Sequence, residues 1–233
     1  MSEEKGEPQY REIIRTLKQR GGERLGYMSS WTYISDPKRL VFLLARYKFV
    51  AKMMDGLDDI LEVGCADAFG TRIVAQATRH VTAIDFDPNF VVSAQETMST
   101  EWPVTVRCHD ILDGPVEGEF DGVYSLDVLE HIPARDERRY VANMIAPLRP
   151  NGVAIVGSPS LESQDYASKP SREGHVNCKI QADLKALMAE FFQNVFIFSM
   201  NDEVVHTGFH ALSHYNLALC CGKRSERSVD SER

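Results

Sequence analysis

Asp58 to Thr71 reads DDILEVGCADAFGT, a short apolar run that closes in a turn of small residues. A strand, a small-residue turn and a helix form the unit with which α/β proteins hold nucleotides at the carboxyl edge of a sheet. The turn runs Gly64-Cys65-Ala66-Asp67-Ala68-Phe69-Gly70, with alanines where nucleotide loops usually carry glycine. A dinucleotide fingerprint needs glycine at relative positions one, three and six, because the backbone must approach a pyrophosphate. Counted from Gly64, those positions hold Gly64, Ala66 and Phe69. Two of the three fail, and Phe69 would crowd a pyrophosphate. An NAD-dependent oxidoreductase is therefore a weak reading.

Downstream of this stretch the pattern alternates. Apolar strands at about 59–63, 80–84, 103–107, 120–125 and 152–158 are separated by helical segments at about 70–78, 88–99 and 135–148. Such alternation predicts a parallel sheet built by right-handed crossovers. Pro150 and Asn151-Gly152 are expected to stop the third helix and turn the chain into the fifth strand. A helix at about 180–191, a strand NVFIFS and a last strand HYNLALCC complete the expected core. Upstream, a short polar helix is expected at about 8–20, then a loop carrying Met28, Trp31 and Tyr33. A firmer helix follows, with Asp36 as N-cap, Pro37 at its first position and apolar residues at three- and four-residue steps from Leu40 to Met54.

The composition narrows the function. The chain has 233 residues, enough for one α/β domain with insertions; 43% hydrophobic and 26% charged residues describe an ordinary globular protein. No apolar run is long enough to span a membrane, and MSEEKGEPQY lacks the features of a signal peptide. Cysteines at 65, 108, 178, 220 and 221 show neither CxxC spacing nor a paired framework, which fits reduced thiols and a cytoplasmic location. A net charge of −8 argues against a generic nucleic-acid binder. Small-molecule chemistry is favoured, and a homodimer is compatible with the sequence.

Two further strand ends carry suitable groups. Asp85, in TAIDFDP, ends the second strand 21 residues after Gly64, where a carboxylate can accept from both hydroxyls of an unphosphorylated ribose. After the third strand, in CHDIL, Asp110 can accept from an adenine amino group, and the Ile111 N–H can meet a ring nitrogen.

ILEVGCADAFGT, VTAIDFDP, CHDIL, FDGVYSLDVLEHIP and LRPNGVAIVGSPS resemble, in order and spacing, the motifs of class I S-adenosylmethionine-dependent methyltransferases. The resemblance covers about residues 58–222 and is strongest to the small-molecule branch that includes quinone-biosynthesis O-methyltransferases. The opening helix is also similar to that of methyltransferases encoded among bacterial polysaccharide genes. The resemblance implies a doubly wound, Rossmann-like α/β fold with a seven-stranded sheet of order 3-2-1-4-5-7-6, its last strand antiparallel. It implies S-adenosylmethionine as cofactor, bound by Glu62, Gly64, Cys65, Ala66, Asp85, Phe86, Asp110, Ile111, Ser125 and Leu126. Glu62 and Gly64 match the acid and first glycine of motif one; Phe86 lies against the adenine; Ser125 and Leu126 supply backbone beside the methionine arm. That arm brings no pyrophosphate to the loop, so the alanine methyl groups are tolerable there. A positive φ at Ala68 would be strained.

Methyl transfer to a hydroxyl or ammonium needs a base near the acceptor. In SLDVLEHIP, helical turns would bring Asp127, Glu130 and His131 onto one face. By resemblance to some quinone and RNA-end methyltransferases this group could hold a divalent metal; a metal-free turn ranks ahead. The long loop SPSLESQDYASKPSREGHVNCK offers Tyr166 and His175, the latter as base or ligand for the acceptor. The connection MNDEVVHTGFHALSHY offers His206 as base and Asp202 and Glu203 for a cationic acceptor; His214, at the start of a strand, is read as structural. The expected architecture is one domain over 1–222, with a helical cap at 1–57, a cofactor-binding core at 58–222 and a disordered tail at 223–233. The expected reaction is methyl transfer to an oxygen or nitrogen of a small molecule, such as a sugar or phosphorylated amino-alcohol precursor of a surface glycan. A non-catalytic, S-adenosylmethionine-binding regulatory subunit is the alternative.

Overall fold

The computed structural model describes residues 7–225. Pro8–Tyr10 form a 3-10 turn that runs into α1 (Arg11–Arg20), followed by α2 (Tyr27–Ser35) and α3 (Pro37–Met53). The stretch expected as a loop thus contains α2. Its apolar residues show no clear stripe, and tertiary docking holds it. α3 starts as its sequence dictates: the Asp36 carboxylate accepts from the Lys38 N–H at 3.2 Å, and Pro37 occupies the first turn.

Beyond α3 the chain alternates: β1 (Asp59–Val63), α4 (Thr71–Ala75), β2 (His80–Asp85), α5 (Pro88–Glu96), β3 (Thr105–Cys108), β4 (Phe120–Leu126), α6 (Glu137–Ile145) and β5 (Leu148–Pro159). There follow α7 (Lys169–Gly174), α8 (Gln181–Ala189), β6 (Phe192–Asn201), β7 (Val204–His206) and β8 (Tyr215–Lys223). The sheet runs β3-β2-β1-β4-β5-β8-β6-β7, with β8 antiparallel to both neighbours. This is the expected order with one addition: the expected seven strands become eight because β7 folds back on β6 as a short edge strand.

Side-chain alternation along each strand fills two cores. Leu61 and Val63 of β1 and Val123 of β4 meet α6 and α8 on one face. Ile60 of β1 and Tyr124 of β4 meet Tyr47, Val50 and Met54, from α3 and the residue after it, on the other. Each such fully buried apolar side chain contributes roughly 1.5–3 kcal/mol.

Three boundaries differ from expectation. The Arg149–Gly152 segment does not sit outside a strand: β5 begins at Leu148, and a shift of register between the Phe120 and Gly122 pairings absorbs the turn residues as a bulge. The long connection after β5 carries a 3-10 turn (Glu162–Tyr166) and α7. β8 continues through Lys223, and the Arg224 N–H donates to the Phe191 carbonyl at 2.8 Å. The remainder of the expected tail, residues 226–233, lies outside the described residues. No helix among the described residues is long and apolar enough to cross a membrane.

Candidate active site

The loop between β1 and α4 keeps the backbone of a glycine turn without its glycines. Gly64 has φ +81°, and a Cβ there would collide with the Val128 side chain. Ala66 and Ala68 are both left-handed, at φ +46° and +52°. For alanine that conformation costs about 1–2 kcal/mol, so the surroundings must hold it.

They do so through two carboxylates. Asp67 accepts from the Ser29 N–H at 2.7 Å and the Ser29 hydroxyl at 3.0 Å, which docks α2 on the loop. Glu62, fully buried beneath, accepts from the hydroxyls of Tyr47 at 2.9 Å, Thr71 at 2.5 Å and Tyr124 at 2.8 Å. Burial pushes the Glu62 carboxyl up to about 7, against the pull of those three hydroxyls. Glu62 thus ties α3, α4 and β4 together under the turn. Burial also pushes the Cys65 thiol up, which removes it as a nucleophile.

Asp85 ends β2 beside the turn. Its Oδ2 accepts from the Ala66 N–H at 2.8 Å and its Oδ1 from the Asp87 N–H at 2.9 Å. Burial raises its pKa, while these backbone donors pull it down. Each oxygen retains a lone pair for a further donor. Phe86, next in sequence, is 70% exposed. Asp110 Oδ1 accepts from the Leu112 N–H at 2.9 Å, and Ile111 is buried with its carbonyl on the Asn143 amide. The Ser125 hydroxyl is committed behind the loop, on the Val63 carbonyl at 2.9 Å, while Leu126 faces the cleft.

A cleft of about 320 Å³ opens over Gly64, Cys65, Ala66 and Asp67. Arg39, Glu130, His131 and His175 line it from the other side. It adjoins a second cavity of about 730 Å³, with which it shares Arg39, Phe42, Arg46, Pro159, Ser171 and His175. The Arg46 guanidinium lies 2.6 Å from both Asp127 oxygens and 3.8 Å from the Tyr215 ring centroid. Burial lowers its pKa, but Asp127 reverses the sign and leaves it raised. Arg39, on the same helix, has no ion-pair partner among the described residues.

The expected face of Asp127, Glu130 and His131 does not form. Asp127 sits at φ +58° and turns to Arg46, and only Leu129–His131 make a 3-10 turn. His175 takes its place: one ligand-type atom each from Glu130, His131 and His175 lies within 4.8 Å of the others. Glu130 is 1% exposed, and burial followed by Asp127 pushes its carboxyl well above the usual range. His131 Nδ1–H donates to the Gly174 carbonyl at 2.9 Å, and His175 Nδ1–H to Gln164 Oε1 at 2.8 Å. Burial, then the neighbouring His131 ring 5.2 Å away, lowers the His175 pKa.

Other candidates fall elsewhere. His206 is on the edge strand β7 and lines neither cavity; its Nε2–H donates to Asn201 Oδ1 at 2.7 Å and its Nδ1 accepts from the Gly208 N–H at 2.9 Å. Both ring nitrogens are occupied, so the expected base is a hairpin clip. Asp202 lines the second cavity, but Glu203 lines a groove over the outer face of α3, so the two do not act together. His214 accepts from the Asp202 N–H at 2.9 Å, a structural role as expected. Tyr166 lines the second cavity and is 91% exposed. Arg39, Arg46, Glu162 and Tyr215 were not singled out from the sequence. Arg39 and Arg46 share a helix face with ordinary core residues, and no local motif marks the other two.

Residues 60–152 match the family model described as a methyltransferase domain. A probable S-adenosylmethionine-dependent methyltransferase of Mycolicibacterium smegmatis is 29% identical over 104 residues, 44% of this chain and 38% of that protein. A ubiquinone biosynthesis O-methyltransferase of Xanthomonas campestris is 27% identical over 126 residues, 53% of this chain and 49% of that protein. The chain thus spans under half the length of these curated relatives. Among solved structures, N-methyltransferase NodS from Bradyrhizobium japonicum, in complex with S-adenosylhomocysteine, superimposes with a TM-score of 0.65 at 21% identity, covering 89% of this chain and 97% of that one. Residues 60–152 thus carry a methyltransferase-type domain, and the chain is similar over its cofactor-binding core to S-adenosylmethionine-dependent methyltransferases, on a fold that it shares with NodS.

Proposed function

We propose that the protein transfers a methyl group from S-adenosylmethionine to an oxygen or nitrogen of a small hydrophilic acceptor, of the kind represented by sugar or amino-alcohol precursors of surface glycans. The observation that carries this reading is the cleft itself, in which a glycine-type turn and the unpaired Arg39 face each other across Gly64 to Asp67.

The cofactor supplies an activated methyl on a sulfonium, which a nucleophile displaces in line. The residues fit its three parts. Arg39 and the loop offer a cation and backbone to the amino-acid arm, the spare lone pairs of Asp85 suit the ribose hydroxyls, and exposed Phe86 with Asp110 and Ile111 suits the adenine. On the acceptor side, His175 has its Nδ1–H fixed on Gln164, which leaves Nε2 as the atom able to take the acceptor's proton. Burial, then the neighbouring His131 ring, lowers its pKa, which favours the unprotonated form. His175→Ala is expected to lower turnover at least a hundredfold while S-adenosylhomocysteine affinity stays within twofold. Turnover is read as a one-methyl mass gain on an acceptor panel, and full activity in the variant would remove His175 from the reaction.

One observation favours a second reading, in which a divalent metal helps to hold the acceptor. Both His131 and His175 donate Nδ1–H to carbonyl oxygens, so both Nε2 atoms are lone-pair ligands oriented as metal-site histidines usually are. Glu130 would supply the carboxylate, and the ion would act as a Lewis acid on an acceptor hydroxyl. Stoichiometric zinc or manganese by elemental analysis, lost in His131→Ala, would favour this reading over the metal-free base.

A further inference from the structure

The amphipathic pattern of α1 serves nothing inside the fold. Tyr10, in the turn before it, and Ile13, Ile14 and Leu17 recur at three- and four-residue steps and make one apolar stripe. All four are 48–55% exposed, and no residue of the helix is buried. Thr16, off the stripe, is the one α1 residue that the protein partly covers. α2 repeats the arrangement: Tyr27, Trp31 and Ile34 stand at four- and three-residue steps, and each is more than half exposed. Nine of the 21 exposed large apolar side chains among the described residues lie between Tyr10 and Ile34, so the exposure is concentrated on these two helices rather than scattered.

Charge indicates what covers the stripe. At about 3.6 residues per turn, Arg11, Arg15 and Lys18 line one edge of it and Arg20 the other, while Glu12 and Gln19 fall opposite. Arg20 donates to Thr100 at 2.9 Å and to Glu101 at 3.2 Å, which ties the end of the helix to the body. The charged ends of Arg11, Arg15 and Lys18 have no hydrogen-bond or ion-pair partner among the described residues. The nearest flanking acids are turned elsewhere, Glu7 to Gln9 and Glu23 to Arg72. With four cations to one carboxylate, α1 is a basic element in a chain of net charge −8. A second copy would set the same cations against it, and like charges oppose that pairing. An apolar stripe edged by long cations, with tyrosine and tryptophan nearby, has instead the composition of a helix lying in the interface of an anionic bilayer. The apolar side chains enter, and the arginine and lysine stems reach back to the phosphates. The acidic remainder of the molecule is repelled by such a surface, so the approach is oriented with α1 leading.

We propose that α1, supported by the exposed stripe of α2, is a membrane-surface element that binds anionic phospholipid. The proposal stands whether or not the methyltransferase reading does.

The test is co-sedimentation of the full chain with vesicles of phosphatidylcholine alone and of phosphatidylcholine mixed equally with phosphatidylglycerol. Binding to the anionic vesicles only is expected. Arg15→Gln with Lys18→Gln should weaken it about tenfold or more, at roughly fivefold per cation. Ile14→Ser with Leu17→Ser should weaken it by about as much, through the loss of apolar burial. All four side chains are exposed, so both double variants should keep the wild-type midpoint in urea. No binding to either vesicle, equal binding to both, or binding unchanged in either double variant would overturn the proposal. A dimer in sedimentation velocity that Ile14→Ser with Leu17→Ser abolishes, without vesicle binding, would overturn it too and give the stripe to a second copy.

Discussion

Beneath the β1 loop, Glu62 receives three hydroxyls, Asp67 receives Ser29 twice, and Asp85 receives two backbone N–H groups. Across the cleft, buried Arg46 Nε, Glu130 Oε2 and Glu162 Oε2 make no hydrogen bond with the described residues. The cofactor side spends its polar groups on shaping backbone, holding Ala66 and Ala68 in a conformation alanine does not favour. The opposite wall leaves those buried polar atoms unsatisfied, at a cost in stability. The first arrangement suits a loop that must hold one shape; the second leaves its wall less firmly tied.

The strongest way to break this contrast is through Glu62. Its carboxyl is raised from 4.5 in the open chain to about 7 in the fold. The protonated form is therefore favoured by folding: its contribution is complete below about pH 4.5 and is lost as pH rises through about 7. That contribution amounts to about 3 kcal/mol. Glu62→Gln should flatten the fall in unfolding free energy between about pH 4 and pH 8 by that amount, as read from urea titrations. Parallel pH profiles in the two proteins would show that Glu62 does not titrate in this range.

A smaller effect tests whether the loop is strained. Ala66→Gly relieves a left-handed alanine at a half-exposed position and should stabilise the fold by about 0.5–1 kcal/mol. Ala68→Gly also gives up a buried methyl group, worth about 0.8 kcal/mol, so its net change should lie near zero. Equal effects at the two sites would mean that the buried methyl group is not what separates them, and no stabilisation by Ala66→Gly would mean that the turn is not strained.

The smallest effect concerns His206, whose two ring nitrogens are both satisfied within the hairpin. His206→Gln should leave turnover within twofold of wild type. A tenfold loss would return His206 to the reaction and move the acceptor side toward β7.

What the sequence made legible follows the range of the interactions. The β1 loop is built from contiguous residues, so its strand, small-residue turn and helix could be read directly, as could the Asp36 cap, while the strand order followed from the resemblance to the methyltransferase family. α2 could not, because Ser29 reaches Asp67 across 38 positions and its own apolar pattern is weak. The Pro150-Asn151-Gly152 signal was real but was overruled by pairing with β4, which absorbed it as a bulge. Asp127 looked like one member of a helical trio until Arg46, 81 positions away, drew it aside. The second cavity was nearly illegible for the same reason: Arg46, Glu162 and Tyr215 reach its wall only through the completed fold, and β7 was too short to announce itself.

The most direct test of the central claim is calorimetric titration with S-adenosylhomocysteine, with NADH in parallel and Asp85→Ala as the variant. The predicted result is micromolar binding of S-adenosylhomocysteine alone, weakened tenfold or more in the variant by the loss of hydrogen bonds worth roughly 1.5–3 kcal/mol. Binding of NADH instead, or S-adenosylhomocysteine affinity unchanged by Asp85→Ala, would contradict it.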